Sequence, residues 1–186
     1  MKFNEATAPN KKIYNPNLAF EFIDLVFSFE NTKIFCDMDG VLTNMVKHYF
    51  ELTGKDLEDK VNNRKWYQDI HGNFEFWRDM PWLDDGKELW HFIKSYGPCV
   101  LTSPTLDKNC KKGKIEWVKR ELGEDVPIIV ALKKHLIFNE ESLEGKILID
   151  DKEKNIDPWV SMGGIGVLHK TASDSIAQLK KILEKT

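Results

Sequence analysis

Asp37 and Asp39 stand one residue apart where an apolar run ends, in Ile34-Phe35-Cys36-Asp37-Met38-Asp39-Gly40-Val41-Leu42. Carboxylates resist burial unless they are paired, hydrogen-bonded or metal-bound. Two of them delivered by a hydrophobic strand therefore predict a site. Thr102-Ser103 and Asp150-Asp151 close two later apolar runs in the same way. Converging carboxylates repel, and a hard divalent cation such as Mg²⁺, with oxygen ligands, waters and phosphate, relieves that repulsion. Hydroxyls and backbone N–H groups just past Leu101 suit phosphate oxygens. A lysine at the same rim would neutralise charge gathering on a transferring group. One carboxylate attacking phosphorus, with a second protonating the leaving oxygen, is a coherent use of the Asp-x-Asp spacing.

These side chains converge only if their runs lie parallel. The runs are Lys33–Cys36, Pro98–Ser103, Pro127–Ala131, Lys146–Asp151 and Ile165–His169. They are continuous rather than alternating, as in strands covered on both faces. Helical patterns fall between them, over Lys87–Ser95, Lys114–Leu122 with Gly123 closing it, and Thr171–Leu183 behind a Thr171/Asp174 capping box. A further short helix is predicted over residues 18–30, after an irregular lead-in over 1–17. Alternating strands and helices predict an α/β fold, a parallel sheet flanked by helices. Its ligand crevice lies beyond the carboxyl ends of the strands.

More than forty residues between Leu42 and Gly86 break the alternation and are rich in aromatics, among them Tyr49, Phe50, Trp66, Phe76, Trp77 and Trp82. Connections in α/β units are far shorter. The segment reads as a small, mostly helical cap over the strand ends. The division predicted is 44–83 for the cap, with 1–43 and 84–186 forming the core. Large side chains in so small a lobe also serve simply as its core.

The 186 residues carry a formal charge of −3 and 41% hydrophobic residues, enough for a real core and without a global pull toward nucleic acid. Three cysteines without a CxxC predict a reducing compartment. No run approaches membrane-spanning length and the first residues lack a signal-type apolar stretch, so the cytoplasm is expected, with no membrane partner. Lys108, Lys111, Lys112 and Lys114 read as a short solvated basic face, with the alternative that it draws in an anionic substrate from the rim.

Asp37-Met38-Asp39-Gly40-Val41-Leu42 resembles the first motif of the haloacid dehalogenase (HAD) superfamily of phosphatases. Leu101-Thr102-Ser103-Pro104 resembles the second and Leu148-Ile149-Asp150-Asp151 the fourth. Within it the chain is most similar to the 5'(3')-deoxyribonucleotidases. That likeness rests on the Thr-Ser-Pro form, on Gly113-x-x-Glu116-Trp117-Val118, and on Ile149-Asp150-Asp151-Lys152 with Trp159 downstream. It spans Lys33 to His169 and implies a HAD-like Rossmannoid fold with the cap after the first strand. It also implies an Mg²⁺-dependent phosphomonoesterase acting on nucleoside monophosphates, deoxy forms favoured, through an aspartyl-phosphate. By this resemblance Asp37 is the nucleophile and Asp39 the general acid, then base. Lys134, beside Lys133, is the lysine that holds nucleophile and phosphate together, and Thr102 and Ser103 bind the phosphate. Phe76 and Trp77 stack on the base, with Phe50 as a further candidate. Mg²⁺ takes the Asp37 carboxylate, the Asp39 carbonyl and one carboxylate of the Asp150–Asp151 pair.

Three other readings stand beside this one: another small phosphomonoester as substrate, phosphorylated nucleic-acid ends, or a catalytically silent phosphate-binding protein. A cationic track for sustained nucleic-acid binding is missing from the composition, so no stable nucleic-acid partner is expected. A homodimer is left open.

Overall fold

A computed structural model of the protein describes residues 32–57, 59–138 and 142–184. The lead-in and the helix predicted over residues 18–30 lie outside the described residues. Five short strands form within the five apolar runs: β1 (Ile34–Cys36), β2 (Cys99–Thr102), β3 (Ile128–Val130), β4 (Ile147–Asp150) and β5 (Ile165–Leu168). They pair in parallel in the order β3-β2-β1-β4-β5, with Phe35 opposite both Cys99 and Leu148. Helices flank the sheet and a helical insertion follows the first strand, which is the HAD-like architecture.

Both faces of the sheet are covered, and this is why the strands read as unbroken apolar runs. Successive side chains point to opposite faces. Ile34, Cys36, Val100 and Ile149 pack with Trp117, Val118 and Leu179 on one side, while Phe35, Leu101 and Leu148 pack with Ile156 and Trp159 on the other. The first layer draws on helices α4 (Gly86–Ile93), α5 (Lys108–Glu121) and α7 (Ala172–Leu183), the second on α6 (Glu153–Ser161). The Thr171 hydroxyl caps α7 by accepting the Asp174 N–H at 3.2 Å. Cys36, Cys99 and Cys110 are unpaired and buried, and burial pushes their thiols up from the usual range.

Two helices depart from the sequence reading. Helix α5 begins six residues before the predicted Lys114, because the Asp107 carboxylate accepts the Asn109 N–H at 2.9 Å and starts it there. The polar opening Lys108-Asn109-Cys110-Lys111-Lys112-Gly113 hid that first turn and a half. Helix α6 has no counterpart in the sequence reading; its polar residues and internal Pro158 disguise an apolar stripe of only Ile156 and Trp159.

Between β1 and α4 the insertion contains α1 (Met45–Thr53), α2 (Lys60–Ile70) and α3 (Phe74–Arg78). Its two connections to the core run together: the Asn44 N–H donates to the Pro81 carbonyl at 2.9 Å and the Leu83 N–H to the Leu42 carbonyl at 2.8 Å. The returning segment then lies along α5. The Asp107 carboxylate accepts the Gly72 N–H at 2.6 Å, and the Asn109 side-chain amide donates to the Gly72 carbonyl at 2.9 Å. Further along, the Trp117 indole N–H donates to the Met80 carbonyl at 2.7 Å. Gly113 makes this approach close: a Cβ there would sit 2.5 Å from the Trp77 Cβ and 2.9 Å from the Arg78 nitrogen. Gly113→Ala must therefore lift α3 from α5, and it is expected to cost about 1–3 kcal/mol. Urea denaturation measures this, and an unchanged midpoint would show that the contact gives way freely. Among the described residues no helix is long and apolar enough to cross a membrane.

Candidate active site

The order β3-β2-β1-β4-β5 places the reversal of winding between β1 and β4, where open α/β sheets leave a crevice at their carboxyl ends. Asp37 emerges from β1 on one side of it and Asp150 and Asp151 from β4 on the other. Asp37 still belongs to the ladder, since its N–H donates to the Ile149 carbonyl at 2.8 Å. The chain then winds tightly, the Met38 carbonyl accepting the N–H groups of Leu42 and Thr43 at 2.8 Å each. Gly40 permits that turn with φ of +84°, and a Cβ there would stand 2.6 Å from an Asp151 carboxylate oxygen. The glycine of the first motif thus serves the backbone and also leaves room for the fourth.

Lys134, from the single turn Lys134–Leu136 after β3, is buried and bridges two carboxylates. Its ammonium lies 2.7 Å from Asp37 Oδ1 and 2.5 Å from Asp150 Oδ2. Asp37 Oδ1 also accepts the Met38 N–H at 2.7 Å. Asp150 is fully engaged. Its Oδ1 accepts from the Lys152 N–H and the Asn155 amide, both at 2.9 Å, and its Oδ2 takes Lys134 and the same amide. Asp151 differs: its Oδ1 is buried and lacks a hydrogen-bond partner among the described residues. Burial, with Asp37 and Asp150 adding to it against the nearby lysines, pushes the Asp151 carboxyl up to about 6.

A second buried lysine completes the site. Lys114 of α5 reaches Asp39 Oδ2 at 2.6 Å, the Thr102 hydroxyl at 3.0 Å and the Ser103 carbonyl at 2.7 Å. Burial opposes its charge, but Asp39, joined by Cys110 and Asp37, outweighs that, so the ammonium is held above the usual lysine range. Thr43 donates its hydroxyl to Asp39 Oδ1 at 3.2 Å. The reading of Lys114 as part of a solvated basic face is therefore corrected; Lys108 and Lys112 are exposed, but Lys114 is not. Its signal was the stripe Cys110, Lys114, Trp117 and Val118 at helical spacing, invisible while the helix was taken to begin at Lys114. Asn155, which orients Asp150, belongs to the helix that the sequence hid.

The structure brings Asp37, Asp39, Thr102, Ser103, Lys134, Asp150 and Asp151 to one edge of the sheet. The two aromatics are placed differently from each other. Trp77 is 1% exposed, its indole N–H has no hydrogen-bond partner among the described residues, and its ring lies 5.4 Å from the Lys114 ammonium. Phe76 is 2% exposed and covered by His48, whose ring stacks on it at 4.9 Å. Phe50 is more than half exposed.

The donor set fits a hard divalent cation. One oxygen each of Asp37, Asp150 and Asp151 lies within 4.8 Å of the others, although Asp150 already has both oxygens in hydrogen bonds. Four carboxylates, counting Asp39, face two buried ammonium groups, which leaves two formal negative charges. The Asp151 Oδ1, buried without a hydrogen-bond partner among the described residues, has the chemistry to engage such a cation.

Compared with protein-family models and with curated proteins, the chain finds no match. Among solved structures it is similar to a HAD family enzyme from Bacteroides thetaiotaomicron in two forms, one with magnesium and inorganic phosphate and one with magnesium. Both are 14% identical over 75% of this chain, covering 94% and 93% of theirs, with TM-scores of 0.43 and 0.44.

Asp151 yields a pH-dependent test. A carboxyl raised above its unfolded value of 3.8 binds its proton more tightly when folded, so stability falls as pH rises from about 4 through about 6. Asp151→Asn removes that loss. The metal-free variant should melt higher than the parent at pH 7, and the gap should close toward pH 4. Added divalent cation should reverse the order at pH 7. A variant less stable than the parent at pH 7 without metal would contradict the assignment.

Proposed function

We propose that the chain is an Mg²⁺-dependent phosphomonoesterase, that its substrates are nucleoside monophosphates, deoxy forms favoured by resemblance, and that it works in the cytoplasm. The observation that carries this reading is Lys134 clamped between Asp37 and Asp150 beside the unpartnered Asp151 oxygen. A buried carboxylate whose charge is shared with a lysine and a cation can meet a phosphate dianion without prohibitive repulsion.

In the proposed reaction Mg²⁺ would be held by the Asp37 carboxylate, the Asp39 carbonyl and Asp151, since Asp150 is taken up by Lys134 and Asn155. When bound it neutralises phosphate charge. Thr102 and Ser103 hold the phosphate oxygens, and Lys134 keeps Asp37 aimed. Asp37 forms the bond to phosphorus while the ester P–O bond breaks, and Asp39, which first takes up a proton from solvent, gives that proton to the departing sugar oxygen. Asp39 then takes a proton from the water that attacks the aspartyl-phosphate, which returns Asp37 and releases phosphate. Trp77 borders this site, its ring 5.4 Å from the Lys114 ammonium, but at 1% exposure it meets a base, like Phe76 beneath His48, only if the side chains that cover it move.

That coverage of Phe76 favours, as second reading, a small phosphomonoester without a base. A screen with Mg²⁺ of deoxy- and ribonucleoside monophosphates against sugar phosphates separates the two. The first reading expects nucleotides to be preferred and Trp77→Ala to raise their KM. Asp37→Asn should lower turnover by at least about a thousandfold while the fold persists by circular dichroism. Full activity in that variant would overturn the mechanism, and preference for sugar phosphates would hand the substrate to the second reading.

A further inference from the structure

Lys114 is 1% exposed, and an ammonium in that position is tolerated only when its protons are used. It has three donors, and three acceptors surround it: the Asp39 carboxylate, the Thr102 hydroxyl and the Ser103 carbonyl. Its nitrogen is therefore a fixed point rather than a swinging charge. The helix that carries it is fixed as well, since the neighbouring Gly113 is pressed against α3 and the Trp77 ring stands over the ammonium. Asp39, by contrast, sits in a turn beyond the strand with its side chain 20% exposed, and among the described residues its carboxylate has one other hydrogen bond, from the Thr43 hydroxyl. Its Oδ2 is taken by Lys114, while its Oδ1 shares the single Thr43 hydroxyl proton with the Met38 carbonyl, also 3.2 Å away.

We propose that Lys114 is a positioning residue that sets the Asp39 carboxyl for proton transfer to the leaving group, tying it to the strand end that holds the phosphate. This rests on the phosphatase reading above. Lys134 and Lys114 then divide the work: the first serves the attacking carboxylate, the second the proton-transferring one. Lys114 falls within the segment Gly113–Val118, unlike its exposed neighbours Lys108 and Lys112, and its place on the buried stripe of α5 turns it into the site.

A leaving-group comparison tests the division. Protonation matters greatly when the departing oxygen is an alkoxide and little when it is a stabilised nitrophenolate. With Mg²⁺, Lys114→Met should lower kcat on the preferred nucleoside monophosphate or sugar phosphate by about a hundredfold, and on p-nitrophenyl phosphate by less than about tenfold. In an Asp39→Asn background the same substitution should cost little more, because residues acting through one another are not additive. Should Lys114→Met fail to fold, Thr43→Ala, which removes the other bond to Asp39, should show the same leaving-group dependence in weaker form. Equal losses on the two esters, no loss on either, or full additivity with Asp39→Asn would each overturn the proposal. A parent protein inert toward every phosphomonoester would instead take down the phosphatase reading itself.

Discussion

Lys134 is the charge on which this architecture turns. Two carboxylates cannot be carried to adjacent parallel strand ends, out of water, without a cation between them, and a single ammonium meets both Asp37 and Asp150. Removing one partner from such a buried group costs about 3–5 kcal/mol. The site's remaining organisation follows from that need. Asn155 and the Lys152 N–H take up the rest of Asp150, Lys114 takes up Asp39, and the Asp151 oxygen is left over. Two formal negative charges remain where a divalent cation and a phosphate would have to meet.

The sheet supplies the convergence and the helices supply the cations. Because β1 and β4 lie side by side at the reversal of winding, their ends face one crevice. Helix α5 contributes on two sides at once: its Lys114 points into the site, while Gly113, Asn109 and Trp117 receive the returning arm of the insertion. The arm that carries Phe76 and Trp77 is therefore held to the core by backbone-level contacts along a whole helix. Whatever selectivity the aromatics confer is set by how that arm is seated.

The strands were legible because burial on both faces leaves no alternation to misread, and their acidic or hydroxyl ends announced the site before any fold was known. Asp37, Asp39, Thr102, Ser103, Asp150 and Asp151 reach one sheet edge because their strands run parallel, and Lys134, which the resemblance alone points to, joins them from the turn after β3. Lys114 and Asn155 were not legible. Both sit on helices whose starts are polar, α5 opened by Asp107 and α6 interrupted in appearance by Pro158. A lysine on an unrecognised buried stripe reads as surface charge. The aromatics were legible as a cap but not as a pocket, since large rings fill a small lobe whether or not they touch a ligand. Trp77 beside Lys114 and Phe76 beneath His48 are distinctions that only packing makes.

The central claim is that Asp37 forms a bond to phosphorus. Rapid quench of the Mg²⁺-loaded protein with its best phosphomonoester, followed by borohydride reduction and peptide mass spectrometry, reads this directly, because an acyl phosphate is reduced to the alcohol. The account predicts homoserine at position 37, appearing only with substrate and absent from Asp39, Asp150 and Asp151. An unmodified Asp37 under conditions of steady phosphate release, or reduction at another carboxylate, would contradict it.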